Sequence, residues 1–215
     1  MNYAVLDSSV AYKGKILSVH LDEIKYEATG RKSKREVVVK DAFSMVLPVM
    51  PDGKIITVRQ FRHPFQEMAI SFPAGKADEG EEPCKTALRE LEEEAGLRAG
   101  KLTKLAVLHE VPEFARSVGH LYVASDLTAV PTKRDEGEAT MTTTAYSEAE
   151  LRAMVTSGQI QSVTVQAAIY HYLEHRGRVH AEAPAKGVRA LVGELAALVL
   201  ASCAAGAFVW KLARR

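Results

Sequence analysis

The sequence predicts an α+β fold, a set of mixed strands packed with a few helices. Three observations carry that expectation. Outside one internal stretch, the chain as far as Ala124 shows alternating or continuously apolar runs broken by turn residues, the pattern of strands. One internal stretch, after Pro83, switches to helical spacing in Cys84, Leu88, Leu91 and Ala95. From Ser147 onward the pattern is helical again. Strands and helices mixed in this way suggest an α+β sandwich.

In chain order, residues 3–40 alternate around Gly14 and Thr29-Gly30. Ile16, Val19, Leu21, Ile24 and then Val37, Val38 and Val39 suggest short strands joined by turns. Phe43 to Val49 is a continuous apolar run, expected as a buried strand. Pro51-Asp52-Gly53 signals a turn, and Ile55 to Phe61 resumes as a strand, which predicts a hairpin. Pro64 interrupts, and Met68 to Phe72 leads into Pro73-Ala74-Gly75. Pro83 suits a first helical turn, where a missing N–H costs nothing, and Gly96 suits the end of that helix. Its apolar stripe is expected to anchor one side, with the carboxylates projecting from the other. Leu102 to His109 and Gly119 to Ala124 read as strands. Ser147 with Glu150 three residues later is a capping-box pattern, and Gly158 closes that helix. A last helix over Ser162 to Glu174 has Val163, Ala167, Tyr170 and Leu173 as expected core positions.

Composition bounds the function. At 215 residues, one domain with appendages is the expected count, with two small domains as the alternative. The formal net charge of +1 gives no global field to attract nucleic acid, so no nucleic-acid partner is expected. The basic run Arg31-Lys-Ser-Lys-Arg35 reads as a solvated turn. Two cysteines, Cys84 and Cys203, support neither a disulfide framework nor a zinc site, and a reducing, cytoplasmic setting is expected. The N-terminal residues lack the basic and apolar regions of a secretory leader.

The C-terminal residues differ. Leu195 to Trp210 carries no charge, and extension back to Ala190 admits Glu194 alone. As a helix, residues 190–210 would span roughly 30 Å, about one hydrocarbon core. Lys186 and Arg189 precede the run, and Lys211, Arg214 and Arg215 follow it. A tail anchor, with the rest of the chain facing the cytoplasm, is one expectation. An Ala-rich helix buried in the core or in an oligomer interface is the other.

The chemistry concentrates between Gly75 and Leu97. On the helix from Pro83, Glu90 and Glu94 are four apart and share a face. Glu93 is adjacent, and Glu81 lies just before the helix. Carboxylates this close repel one another, and Arg89, which can pair with Glu93, cannot offset them all. A divalent metal is the natural counter-charge. Hard carboxylate oxygens favour Mg²⁺, with Mn²⁺ as a substitute, over zinc. Mg²⁺ keeps waters and accepts substrate phosphates, which suits pyrophosphate cleavage. A Glu-rich helix alone is commonly just a solvated surface; the upstream Gly75 and Glu81 argue otherwise.

The positions Gly75, Glu81, Arg89-Glu90-Leu91, Glu93-Glu94 and Gly96-Leu97 together resemble the Nudix box. The resemblance implies an α/β/α sandwich and hydrolysis of a nucleoside diphosphate linked to another moiety. It makes Glu90 and Glu94 the principal metal ligands, with Glu93 assisting and the backbone carbonyl of Ala74 joining them. Arg89 would orient a glutamate. Gly75 would let the loop pass close to the metal.

Outside the box the chain resembles the ADP-ribose pyrophosphatase branch of that superfamily. The segments that carry this are Val58 to Pro64, Phe72 to Gly75, Pro112, His120 to Ala124, and Asp135-Glu-Gly-Glu138. The resemblance implies substrate contacts from Arg59, Arg62 and Pro112. Arg62 would hold phosphate or stack on adenine. It also implies an acidic loop in which Glu136 or Glu138 positions or deprotonates the attacking water. Three positions depart from the branch: Ser71 and Ser117 replace acidic residues, and Glu113 replaces a glycine. These border the sugar and terminal phosphate, so they bear on specificity more than on reaction type.

The expected organisation is an N-terminal β segment over 1–44, a Nudix hydrolase domain over 45–177, a linker over 178–188 and an apolar helix over 189–215. The expected function is hydrolysis of a nucleotide sugar, first ADP-ribose to AMP and ribose 5-phosphate. ADP-glucose and GDP-mannose are alternatives, as is a non-catalytic nucleotide-sensing domain. The N-terminal strands resemble the region through which the branch dimerises, which implies a homodimer.

Overall fold

The protein is described by a computed structural model over residues 2–134 and 136–182, the side chains of Glu136 and of residues 179–182 excepted. The chain divides into two units, Met1–Leu173 and Glu174–Arg215, and the described part of the second is the end of one helix.

The first forty residues form three long antiparallel strands, β1 (Tyr3–Lys13), β2 (Leu17–Tyr26) and β3 (Lys32–Lys40). They are longer than the short strands expected, and the turns between them are tight. The Gly14 N–H bonds Leu17 O at 2.9 Å, and the Gly30 N–H, at φ +67, bonds Tyr26 O at 2.8 Å. Then follow β4 (Phe43–Pro48), β5 (Ile55–Arg62), β6 (Glu67–Ser71) and the short β7 (Ala74–Lys76). Helix α1 (Pro83–Ala95) leads into β8 (Leu97–His109), β9 (Ala115–Arg116), β10 (Val118–Ala129) and β11 (Thr142–Tyr146). Helices α2 (Glu148–Thr156) and α3 (Val163–Glu182) close the described chain.

The strands form three sheets, in the orders β1-β2-β3-β9, β7-β4-β10-β8 and β11-β5-β6. The expected hairpin between β4 and β5 is not formed. A single bridge, Val49 to Ile55, joins them before the chain changes sheets. Strand β4 pairs instead with β10 in parallel along its length and with β7 over Phe43–Met45.

Side-chain parity on β4 and β10 sets the layers, since successive residues point to opposite faces. Val46, Tyr122 and Ala124 pack on Ala87 and Leu91 of α1. Met45, Leu47 and Leu121 face the opposite way, into a larger core with Ile55, Ile70, Phe72, Leu151 of α2 and Val165 and Ile169 of α3. Helix α1 thus covers one face of the central sheet, and a second sheet with two helices covers the other.

The capping box at Ser147 is present in both directions: the Glu150 N–H bonds Ser147 Oγ, and the Ser147 N–H bonds Glu150 Oε2 at 2.7 Å. On α3 Leu173 packs against the core as expected, but the rest of the phase differs. Val163 and Tyr170 are 75% and 60% exposed, while Val165, Ala168, Ile169 and Tyr172 are buried. Both sets have helical spacing, and what decides between them is the surface the helix lands on. Helix α3 also continues to Glu182, into the segment expected as linker. The apolar helix of 189–215 and its membrane association through 190–210 lie outside the described residues. Among the described residues, no helix is long and apolar enough to cross a membrane.

The phase of α3 makes a direct prediction. Ile169→Ala should lower stability by about 2–5 kcal/mol, as core truncations do. Val163→Ala should stay within about 0.5 kcal/mol of the parent. Urea denaturation of both variants would check it, and equal losses would contradict the observed packing.

Candidate active site

Arg89 stands at the centre of the site. Its Nε and one Nη bond the two oxygens of Glu81 at 3.1 Å each, a fork-to-carboxylate pair. The other Nη donates to Glu90 at 2.7 Å and to Glu93 at 2.9 Å. A further bond, at 3.0 Å, reaches the backbone carbonyl of Lys76. Arg89 therefore orients three glutamates rather than one, and it ties the loop before α1 to the helix. Its hydrogen bonds to Glu81 lead in raising the guanidinium pKa above its usual range. Glu81 also accepts from Thr86 Oγ1 at 2.9 Å and the Asp78 N–H at 3.1 Å. The Arg89 fork beside it, more than these, holds its carboxyl down at about 2.

Glu90 and Glu94 behave differently. The expected stripe of Cys84, Leu88, Leu91 and Ala95 puts the carboxylates on the far side of the helix. In the structure Glu90 is 8% exposed and Glu94 2%, on the sheet-facing side beside Ala87 and Leu91. The stripe runs through Cys84, Ala87, Leu91 and Ala95, and Leu88 is not part of it. The helix is thus buried over a wide face, part apolar and part acidic. Glu94 Oε2 accepts the Ala74 N–H at 3.1 Å. Burial pushes its carboxyl up to about 8, with the Ala74 N–H opposing and the charges of Glu90 and Glu138 adding. Burial likewise raises Glu90, against Arg89 and with help from Glu93 and Glu138. A Cβ at Gly75 would overlap the Glu90 carboxylate, so glycine is required there for a close approach.

Glu138 lies in a 3-10 turn, Glu136–Glu138, and its charge is felt by both buried carboxylates. The side chain of Glu136 is outside the described part. The segment leading to this turn lies along the end of α1. The Val130 N–H bonds Gly96 O at 2.9 Å, and the Lys133 N–H bonds Glu93 O at 3.2 Å.

A cavity of about 900 Å³ opens beside these residues, and Ala74, Gly75 and Arg62 line it. Arg62 also lies close enough to lower the Glu94 carboxyl. Arg59 and Pro112 are exposed and do not line it; β5 alternation turns Arg59 away from Val58 and Arg62 lies beyond the buried part of the strand. Ser71, where the branch carries an acid, is on the cavity wall and buried.

A residue that sequence reasoning missed supplies a carboxylate here. Glu110 lines the cavity and accepts from Ser117 Oγ at 2.5 Å, Lys40 Nζ at 3.2 Å and Thr164 Oγ1 at 3.1 Å. Burial pushes its carboxyl up, but these three donors outweigh it and the pKa lies below the ordinary value. Lys40, Glu110 and Thr164 are far apart in sequence, so no spacing could reveal them. The one available signal was Ser117, a serine where an acid was expected.

Comparison with known proteins agrees with this geometry. The NUDIX domain profile matches residues 39–164, more than half of the chain. An ADP-ribose pyrophosphatase of Bacillus subtilis (strain 168) is 41% identical over 127 residues, 59% of this chain and 68% of that protein. Another ADP-ribose pyrophosphatase, from Mycobacterium tuberculosis (strain ATCC 25618 / H37Rv), is 32% identical over 162 residues, 74% of this chain and 77% of that protein. The crystal structure of an ADP compounds hydrolase superposes with a TM-score of 0.74 at 20% identity, over 83% of this chain and 96% of that one, which supports the fold. The chain belongs to the Nudix family. Within it, the chain is a Nudix hydrolase, an enzyme with the α+β sandwich of its relatives.

Members of the family generally use divalent metal ions. The donor set here fits one in its chemistry: two buried hard carboxylates, raised in pKa, beside a loop that glycine keeps open. Among the described residues no three His, Cys, Asp or Glu side chains form a metal-binding group, and Arg89 bonds Glu81, Glu90 and Glu93.

Gly75→Ala tests the close approach. The new methyl would displace the far end of a flexible side chain, so the fold should survive with little change in Tm. The misplaced Glu90 should lower hydrolysis about 100-fold, the scale expected for a 1 Å error in a catalytic group. Thermal melts and rate measurements on the same preparation would separate the two effects.

Proposed function

We propose that the protein hydrolyses the diphosphate of a nucleotide sugar, with ADP-ribose as substrate and Mg²⁺ as the ion, giving AMP and ribose 5-phosphate. The observation that carries this reading is the wall shared by cavity and carboxylates. Ala74 and Gly75 line the cavity on one side and meet Glu94 and Glu90 on the other. The cavity volume suits a ligand of nucleotide-sugar size. Its wall offers Arg62, Lys40 and Lys76 for phosphate and Phe43, Phe65 and Met68 for a base. The names of the two pyrophosphatase relatives support the same substrate.

Glu90 and Glu94 would hold the ion, with Glu93 and the backbone of Ala74 adjoining. When bound, the ion supplies positive charge against the diphosphate oxygens and acidifies the attacking water. Arg89 holds Glu90 in orientation. Arg62 draws the diphosphate toward the carboxylates. Glu138 takes a proton from the water as its oxygen bonds to one phosphorus and the bridging P–O bond breaks. Its electrostatic reach to Glu90 and Glu94 supports Glu138 in this role. Exposed Val5, Leu6, Val10 and Tyr12 on β1 support a homodimer through the N-terminal sheet.

Two measurements test this. Incubation with ADP-ribose and Mg²⁺, read by chromatography, should yield AMP and ribose 5-phosphate, and Glu94→Gln should abolish the product. No hydrolysis of ADP-ribose, ADP-glucose or GDP-mannose with Mg²⁺ or Mn²⁺ would overturn the reading.

The second is a pH dependence. With its pKa raised to about 8, Glu94 binds a proton more tightly folded than unfolded, so without metal its contribution to stability falls as pH rises from about 4.5 to 8. Metal must displace that proton. The rise in Tm on adding Mg²⁺ should therefore be small at pH 5 and larger at pH 8. Melts with and without Mg²⁺ across that range would show it, and a pH-independent rise would contradict a metal at Glu94.

A further inference from the structure

Arg134 makes three hydrogen bonds, all to backbone carbonyls. Its Nε and one Nη reach Glu94 O at 2.9 and 2.7 Å. The other Nη reaches Met141 O at 2.5 Å. The first pair is what an arginine does at the end of a helix, where the last carbonyls lack partners and the dipole favours a cation. The third bond is not needed for that. It spans from the first side of the acidic turn to the residue at which the turn ends. Met141 is itself buried, and its N–H bonds Glu138 O at 2.8 Å. Glu138 is thereby held between two points that one guanidinium fixes to the backbone of Glu94.

We propose that Arg134 is a positioning residue for hydrolysis, clasping both ends of the acidic loop to the end of α1 so that Glu138 keeps its place relative to Glu90 and Glu94. This rests on the reading of Glu138 as the group that acts on water. The neighbouring links, Val130 to Gly96 and Lys133 to Glu93, fix only the approach to the loop. Arg134 alone among these connects the approach and the return. Gly96 makes room for the approach: at φ +66, a Cβ there would press on Thr132 and on the carbonyl of Val130. A lysine could not replace it, since one ammonium lacks the planar fork that reaches both carbonyls.

The test is a double-mutant cycle in the full chain with ADP-ribose and Mg²⁺, using Arg134→Ala, Glu138→Gln and the two together. If Arg134 acts through Glu138, Arg134→Ala lowers kcat about 10–100-fold while KM changes less than about threefold. The double variant is then no slower than Glu138→Gln alone, within about twofold. Arg134→Lys, which keeps the charge at the helix end, gives a partial loss and carries the same cycle if the alanine variant does not fold. A normal kcat in both Arg134 variants overturns the proposal, and so does a double variant whose loss is the product of the two single losses. A slow Glu138→Gln beside a normal Arg134→Ala defeats the proposal alone. A normal Glu138→Gln, or a wild type with no activity, defeats it together with the reading it rests on.

Discussion

One guanidinium decides how this site is built. Arg89 satisfies Glu81 with its fork and Glu90 and Glu93 with its remaining nitrogen. Without a cation at that point, the helix would carry several uncompensated acids within two turns, and like charges at such spacing destabilise a helix. Arg89 also bonds the carbonyl of Lys76, which fixes the loop that carries Ala74 and Gly75. The loop in turn defines both the wall of the cavity and the partner of Glu94. Its selectivity matters as much as its strength. Among the described residues Arg89 makes no hydrogen bond to Glu94, so that carboxylate, which burial raises in pKa, is left for a different cation.

The burial of Glu90 and Glu94 follows from the layer arrangement. Ala87 and Leu91 draw α1 onto Val46, Tyr122 and Ala124, and the acids on the adjoining stripe are carried inward with them. Apolar packing thus meets the cost of desolvating two carboxylates, a cost that an exposed helix would not incur. The same central sheet presents its other face to Phe72 and the helices α2 and α3, so the site is backed by packed core rather than by loop. The acidic turn is the exception, and the segment leading to it is tied to carbonyls at the end of α1 by the Lys133 N–H and the Arg134 side chain.

Much of this was legible from residues close in sequence. The box from Gly75 to Leu97 gave the helix, its cap glycine, the two principal acids and the arginine. The capping box at Ser147 was readable for the same reason, since both partners lie within one turn. What could not be read is non-local. Two phases of α3 satisfy the same spacing, and only the core that receives it selects Val165 and Ile169 over Val163 and Tyr170. A turn signal after β4 reads as a hairpin, yet β4 pairs with β10 and β7 and only the bridge Val49 to Ile55 joins it to β5. The Glu110 network gathers Lys40, Ser117 and Thr164 from separate elements, and no local pattern announces it. Arg59 and Arg62 are three apart on a strand, so they face opposite sides, and one of the two was bound to miss the cavity.

The parallel pairing of β4 with β10 has a kinetic consequence. Ser44 aligns with His120 and Leu47 with Val123, so the whole box from Gly75 to Leu97 is enclosed in the loop that this pairing closes. Closing a loop of that length costs entropy before any contact rewards it, and such pairings form slowly. During synthesis, α1 leaves the ribosome before β10 brings Tyr122 and Ala124 to complete the surface on which it packs. The site is therefore assembled late and together, when β10 inserts beside β4, and a chain truncated before Val118 would contain every residue of the box and no enzyme.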